Sequence, residues 1–398
     1  MAKMRIIILS DDAPTYLKPM ALSLSNMFTK LGIYSEICYE GTKILNIKNN
    51  YKLTDKIKNF KHMFFNLFLK KKYKKHIRPT LQELSFLCER IKTFDAVFVC
   101  AHMPYNLQNN CYQGIDILRK KIKIPIINYE ICFLWSTVSS WYKKVSEISG
   151  FSGFDRFDHY VLVSQMSNLP IKEKSHWPLT VIGGDFRNKE LFPEQKDFRA
   201  LIDFNKNIKL EERKIQIKTL EELKIPYTIL SGTHTHSELY KIFRKHSIYF
   251  LSMPERFGIP IVELQNCGCK VFTPYKYWAA AHYINKDPYE KGDGDLNDNF
   301  VVYSNDPKIL KEKILNLKKN FSSQKVIEEF SNKNSNYYSG NLLNLKEVLD
   351  KIKSNEINSM SGLNYAELEK EITFSIPSIF QEELKFSLRV PNCSTELL

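Results

Sequence analysis

The sequence predicts an α/β protein with two doubly wound domains, because three observations agree. At 398 residues the chain is too long for one ordinary core and suits two domains of roughly 150–200 residues. Short apolar segments alternate with amphipathic stretches, which is the pattern of βαβ units. Hydrophobic residues make up 43% and charged residues 26% of the chain, as expected for a globular protein in water.

The first domain is predicted over residues 1–178. It opens as a βαβ unit, with an apolar strand at 4–9, an amphipathic helix from about 18 to 31 and an alternating strand at 33–39. Further buried strands, separated by helical stretches, are predicted at 96–100, 125–129 and 159–163. Turn-forming residues then predict a linker over 179–197.

The second domain is predicted over residues 198–354 and repeats the alternation of strands and helices. Its expected strands cover 199–204, 227–230, 248–251 and 270–273, and its expected helices cover 211–223, 237–245, 306–319 and 342–354. Residues 355–398 show no periodicity and form an extension whose role the sequence does not indicate.

Several classes of protein are excluded by composition. No run approaches the roughly 20 apolar residues of a membrane span, and the N-terminal apolar run ends too early to be a signal peptide. The eight cysteines contain no CxxC pair, which argues against a zinc site and favours free thiols in a reducing compartment. We therefore expect a cytoplasmic protein.

The segment 254–263, Pro-Glu-Arg-Phe-Gly-Ile-Pro-Ile-Val-Glu, is the most informative part of the chain. An apolar strand leads into it, and a helix that begins near Pro260 would place Glu263 in its first turn and Glu255 on the preceding loop. Ligands of open α/β sheets bind at this carboxyl edge, and a helix N-terminus suits a phosphate. The pattern alone would also fit a loop-to-helix junction with two solvated glutamates.

This segment resembles the Glu-x7-Glu signature of retaining GT-B glycosyltransferases of the family 4 type. The fuller form, Glu-x-Phe-Gly-x4-Glu, is matched at every fixed position. The resemblance runs along the whole frame of alternating strands and helices and covers about 350 residues. A specific motif is present only at 255–263. It implies two Rossmann-like domains that face a cleft, with the donor on the second domain and the acceptor on the first.

The resemblance also assigns site residues. Those expected beside the reacting sugar or the acceptor are Glu255, His102 and Glu130. Those expected to hold the nucleotide-sugar are Phe257, Gly258, Ile259, Glu263, Lys206 and Arg213. In particular, Glu255 is expected near the reacting sugar and Glu263 at the nucleotide ribose.

Three positions depart from the family pattern. Asp11 and Asp12 stand where a glycine pair is usual, and Glu130 stands where a histidine is common. The basic residues that grip the diphosphate are not cleanly present. Lys206 and Arg213 are the best candidates, with Lys209 and Lys214 as competitors.

No cofactor and no metal are expected, and the donor is expected to be a UDP- or GDP-sugar. The Asp293-Gly294-Asp295 segment imitates a metal motif of another glycosyltransferase fold, but it lies in a loop rich in Gly, Asp and Asn that is typical of turns. His234 and His236 are interpreted as loop residues, because no third ligand is evident nearby.

The chain is basic, with a formal net charge of +14. Residues 52–78 contain ten basic side chains and one acid, with Phe60, Phe64 and Leu67 at helical spacing. This pattern fits an amphipathic helix on an anionic membrane surface, a core helix with a solvated face, or, with less support, a nucleic-acid groove. A glycan or a lipid-linked acceptor at the inner membrane face would suit the first interpretation.

Two other functions remain open. A phage-type DNA-base glucosyltransferase on the same fold would use the positive charge to bind a duplex. A non-catalytic protein that binds a sugar or a nucleotide would explain the missing glycine pair. The preferred interpretation is a retaining hexosyltransferase that serves bacterial surface glycan or glycolipid synthesis.

Overall fold

The structure of the protein is a computed structural model. It describes residues 4–11, 16–39, 41, 81–100, 115, 118–131, 157–163, 178–203, 210–232, 234–251, 258–273, 277–278, 294–303 and 306–358. These residues form two parallel β-sheets and the helices that cover them. The predicted fold class, α/β with two doubly wound parallel sheets, is confirmed.

The first sheet contains six strands in the order β2-β1-β3-β4-β5-β6. All five pairings between neighbouring strands are parallel. Its strands are β1 (Arg5–Leu9), β2 (Tyr34–Cys38), β3 (Ala96–Cys100), β4 (Ile126–Glu130), β5 (His159–Leu162) and β6 (Leu179–Val181). The segment 179–181 was expected to begin the linker, but it pairs with β5 and completes this sheet.

The second sheet contains five parallel strands in the order β13-β10-β9-β7-β8. A separate two-stranded antiparallel ribbon pairs β11 with β12. The strands are β7 (Ala200–Ile202), β8 (Tyr227–Ile229), β9 (Ile248–Phe250), β10 (Lys270–Thr273), β11 (Tyr277–Trp278), β12 (Gly294–Asp295) and β13 (Phe300–Val302). Counted from its own first strand, this sheet repeats the strand order of the first one.

Both sheets therefore have a topological switch point beside their first strand. In the first sheet it lies between β1 and β3, and in the second it lies between β7 and β9. A doubly wound sheet binds its ligands outside the carboxyl ends of the strands at such a point. The residues directly after β3 and β9, where a cleft between the domains was predicted, lie outside the described part of the chain.

The helices connect the strands and cover the sheets. They are α1 (Leu17–Lys30), α2 (Leu81–Ile91), α3 (Leu210–Glu222), α4 (His236–Phe243), α5 (Ile259–Asn266), α6 (Pro307–Lys319), α7 (Ser323–Lys333), α8 (Ser335–Tyr338) and α9 (Leu342–Lys353). Helices α7 and α8 were not predicted from the sequence. Among the described helices, none combines the length and the apolarity that a bilayer crossing requires.

The core of the first domain forms because α1 has one apolar face. Every residue of β3 is fully buried, and α1 covers that strand with side chains that include Leu24 and Phe28. The rings of Phe28 and Phe98 meet edge to face, with their centroids 5.1 Å apart. Such a pair adds roughly 0.5–1.5 kcal/mol beyond the burial of its area.

The second domain has a comparable aromatic core on one face of its sheet. The rings of Phe250, Phe272 and Tyr303 lie 5.0–6.0 Å from one another. Tyr303 keeps its hydroxyl satisfied there, because the Gln216 side chain donates a hydrogen bond to it (2.7 Å). Buried tyrosine hydroxyls usually need such a partner.

The chain segment after β6 lies against the C-terminal helices. Gly183 has a φ of +67°, which favours glycine, and a Cβ on it would lie 2.2 Å from the backbone oxygen of Asn336. The Gly184 N–H donates to that same oxygen (2.7 Å), and the Asn341 N–H donates to the Ile182 carbonyl (2.7 Å). At this junction, the backbone of residues 182–184 therefore contacts the backbone of the C-terminal helices directly.

We expect Gly183→Ala to lower the free energy of unfolding by about 2–5 kcal/mol. A left-handed conformation costs a residue with a Cβ roughly 1–2 kcal/mol, and overpacking against the rigid Asn336 carbonyl adds roughly 1–3 kcal/mol. Urea unfolding of both proteins measures the difference.

Gly32→Ala is the matched control for this prediction. Gly32 has a φ of +69°, but nothing lies within 4 Å of a Cβ placed there. This control should lose only the conformational part, about 1–2 kcal/mol. Equal losses in the two variants would show that the close approach to Asn336 carries no cost.

Candidate functional site

The segment that matches the glycosyltransferase signature lies at the switch point of the second sheet. Strand β9 is fully buried and leads into it, and Gly258 is the N-cap of α5, with an extended backbone (φ −167°). Pro260 is the second helical residue, so the helix begins where the sequence predicts. Glu255 and Phe257 lie outside the described residues, between β9 and this N-cap.

The N-terminus of α5 has properties that suit an anion. Gly258 has no side chain that could cap the helix, and no side-chain capping bond is present there. The backbone N–H groups of Ile259 and Ile261 lie in the first turn, at the positive end of the helix dipole. Ile259 is buried in the core, so its side chain anchors this turn.

The sequence predicts Glu263 in the first turn of α5. In the structure, Glu263 lies one residue beyond that turn. The first turn contains no acidic residue. The Glu263 side chain is only 4% exposed, and the Tyr240 hydroxyl donates a hydrogen bond to its Oε1 (2.9 Å). Burial raises the pKa of Glu263 to about 8, although the hydrogen bond from Tyr240 acts in the opposite direction.

Tyr240 is a site residue that the sequence analysis missed. It lies on α4, whose start is fixed by a capping box in which Thr235 and Glu238 satisfy each other's backbone N–H groups. Tyr240 is buried, and burial, followed by the proximity of Glu263, raises the pKa of its hydroxyl. A tyrosine on the apolar face of an amphipathic helix was the available signal, because its hydroxyl needs a buried partner.

The linker also reaches this pair. The side chain of Asn188 hydrogen-bonds Tyr240, and its Oδ1 accepts a hydrogen bond from the Glu190 N–H (3.0 Å). Because the Tyr240 hydroxyl gives its one proton to Glu263, the Asn188 amide is the donor toward Tyr240. Linker, α4 and α5 meet at one buried group.

Arg213 lies near the carboxyl end of β7, on the other side of the same switch point. Its guanidinium donates a hydrogen bond from Nη2 to the backbone oxygen of Asp203, the residue that directly follows β7. Asp203 is only 7% exposed. Lys206 and its competitor Lys209 lie outside the described residues, whereas Lys214 is exposed and pairs with Glu211 (2.7 Å).

Glu130 is the candidate of the first domain that the structure describes. It is the last residue of β4, it is 1% exposed, and its carbonyl accepts a hydrogen bond from the Val163 N–H (2.8 Å). This places it at the carboxyl edge of the first sheet. His102 lies outside the described residues.

The two minor motifs behave as ordinary structural elements where they are described. Gly294 and Asp295 form β12, which pairs with β11. His236 is the first residue of α4, and its ring lies 6.0 Å from that of Tyr240. Within the described ranges, no group of three or more His, Cys, Asp or Glu side chains could hold a metal ion.

No protein-family model matches the sequence, and no curated protein matches it either. Among solved structures, the chain is similar to CalG4, the calicheamicin glycosyltransferase, with 11% identity and a TM-score of 0.40, over 92% of this chain and 100% of that one. It is also similar to the glycosyltransferase SnogD from Streptomyces nogalater, with 10% identity and a TM-score of 0.32, over 68% and 82% of the two chains.

A third solved structure, the transcription regulator CcpA of Lactococcus lactis, aligns with 9% identity and a TM-score of 0.20, over 80% of this chain and 92% of that one. Likenesses at these levels are too weak to assign a function. The fold assignment rests on the strand order and the parallel pairings of this chain.

We expect Glu263→Gln to flatten the dependence of stability on pH. The folded-state pKa of about 8 lies above the roughly 4.3 of an unfolded glutamate, so the folded state binds the extra proton between these values. The free energy of unfolding should then fall as pH rises through this window, by about 2 kcal/mol between pH 6 and pH 8.

Glutamine is the neutral isostere and still accepts the Tyr240 hydrogen bond. The free energy of unfolding of this variant should therefore not show the decrease with pH that comes from ionisation of Glu263. Urea unfolding of both proteins at pH 6, 7 and 8 gives the comparison. Parallel curves for wild type and Glu263→Gln would mean that Glu263 is already ionised at pH 6.

Proposed function

We propose that the protein is a retaining glycosyltransferase that moves a hexose from a UDP- or GDP-sugar to an acceptor hydroxyl. The observation that carries the proposal is the position of the Glu-x7-Glu segment. It spans the carboxyl end of β9 and the start of α5, at the switch point of a doubly wound sheet. Glu263, at its far end, is a buried carboxyl group.

The donor diphosphate is proposed to lie against the N-terminus of α5. The absence of a side chain at Gly258 leaves room for phosphate oxygens to approach the backbone, and the helix dipole favours their charge. The proposed counter-charges are Arg213 and Lys206, which precedes α3 in the sequence and lies outside the described residues. With these groups in place of a cation, the proposal includes no metal at the diphosphate.

The chemistry is proposed to take place on one face of the sugar. The bond between the anomeric carbon and the phosphate oxygen breaks, and a bond to the acceptor oxygen forms on the same face. The departing phosphate oxygen takes the proton of the acceptor hydroxyl. Glu255 would stabilise the oxocarbenium-like state by its charge, while His102 and Glu130 would orient the acceptor at the first sheet.

The acceptor is proposed to be a growing surface glycan or a lipid-linked glycan. The support is the sequence of residues 52–78, whose lysines and aromatic side chains fit an anionic membrane surface. Association with the inner membrane face would bring the first domain to such an acceptor.

We expect Glu263→Ala to weaken nucleotide binding, measured above the Glu263 pKa of about 8, by about 1.5–3 kcal/mol, the value of a hydrogen bond to a charged group. A thermal-shift screen with UDP, GDP and ADP selects the ligand, and calorimetry measures the affinity. Glu312→Ala, which removes an exposed glutamate of α6, is the control. An unchanged affinity in Glu263→Ala would remove Glu263 from the donor site.

We expect Glu255→Gln to lower turnover by about 100-fold, because it removes a charge that acts on the transition state. Donor affinity should change much less, since the interaction is made mainly in the transition state. Hydrolysis of the selected nucleotide-sugar and calorimetry of the nucleotide provide the two values. Turnover within about twofold of wild type would contradict the proposed role of this charge.

A further inference from the structure

We propose that Tyr240 is a positioning residue for donor binding: its hydroxyl fixes one oxygen of Glu263 so that the other oxygen can receive the ribose hydroxyls. The inference rests on the proposed function, and it adds a residue from a different helix to that site.

The geometry supports this role. The Tyr240 hydroxyl donates to Glu263 Oε1 across 2.9 Å, and neither side chain is more than 6% exposed. Tyr240 lies on α4 and Glu263 on α5, so the bond joins two consecutive helices of the second domain. A carboxylate held by one oxygen in a packed site has a defined orientation, which is what precise recognition requires.

The linker strengthens the same hydrogen bond. Asn188 donates to the Tyr240 hydroxyl, and a hydroxyl that accepts one hydrogen bond becomes a better donor in the next. Asn188, Tyr240 and Glu263 therefore form a relay from the linker to the donor site. A shift of the linker would therefore change the orientation of the Glu263 carboxyl group through these hydrogen bonds.

The relay also sets the charge of Glu263. Burial raises the pKa of Glu263 to about 8, whereas the hydrogen bond from Tyr240 lowers it. Other ionisable groups close by, among the described residues, are Cys267, which is the C-cap of α5, and Glu190, which faces Tyr240 from the linker. Arg244 and Glu194 lie beside Cys267, and the ring of His236 lies 6.0 Å from that of Tyr240.

Binding of a ribose should be coupled to the loss of this proton. Ribose hydroxyls donate hydrogen bonds, and an ionised carboxylate accepts them better than a protonated one. Affinity for a nucleoside diphosphate should then rise with pH as Glu263 ionises, with a midpoint near the Glu263 pKa of about 8, and level off about one pH unit above it. Loss of the Tyr240 hydroxyl should move this midpoint to higher pH.

The test measures the Kd of the diphosphate selected from UDP, GDP and ADP by calorimetry, between pH 6 and pH 9.5. Tyr240→Phe keeps the ring and removes only the hydroxyl. We expect it to bind about 10-fold more weakly than wild type at pH 7 and almost equally at pH 9.5. Glu263→Gln should show little dependence on pH.

Tyr303→Phe is the matched control, because it also loses a buried hydroxyl hydrogen bond, the one with Gln216, in the same domain. It should keep the wild-type midpoint even if it lowers stability. Asn188→Ala should shift the midpoint in the same direction as Tyr240→Phe, but less. An Asn188→Ala midpoint equal to wild type would remove the linker from the relay.

The outcomes separate the inference from the proposed function. If Glu263 variants weaken binding but Tyr240→Phe keeps the wild-type midpoint, the positioning role is overturned and the donor site stands. If no diphosphate binds, or if Glu263 variants bind like wild type, the proposed function fails. In that case the pH dependence of unfolding without ligand tests the Tyr240–Glu263 hydrogen bond by itself. Tyr240→Phe should shift the pH-dependent fall in the free energy of unfolding to higher pH.

Discussion

The contact of the linker backbone with the C-terminal helices is the constraint on which the rest of the structure depends. Gly183 can approach the Asn336 carbonyl only because it has no side chain. The ion pair of Asp185 with Lys30 (2.5 Å) then holds the linker against α1, and within the linker Asp185 also pairs with Arg187 (2.8 Å). Burial raises the pKa of Asp185 to about 6, but these two cations favour its ionised form, so the carboxylate is charged at neutral pH.

This fixed linker connects the architecture to the candidate site. From Asp185 the chain continues to Asn188, whose side chain reaches Tyr240 and through it Glu263. The same segment continues to Gln195, which donates to the carbonyls of His246 and Cys267, both 2.8 Å away. A segment expected to be only a connection thus determines where α4 and α5 lie.

The sequence predicted those features that depend on local chemistry. Apolar runs predicted the parallel strands, and Pro260 after Gly258 predicted the start of α5. Contacts between distant segments could not be predicted, because periodicity shows that a side chain is buried but not against what. The burial of Glu263, its bond to Tyr240 and the pairing of 179–181 with β5 are all of this kind.

One consequence of the junction concerns the order in which the chain can fold. The Asn344 side chain donates to the Val181 carbonyl from a position 163 residues later in the chain, and α9 packs against β6. The edge strand of the first sheet is therefore covered by a helix that leaves the ribosome after every strand of the second sheet. Long-range closure of this kind is slow. The first sheet must wait, with β6 uncovered, until synthesis has passed α9.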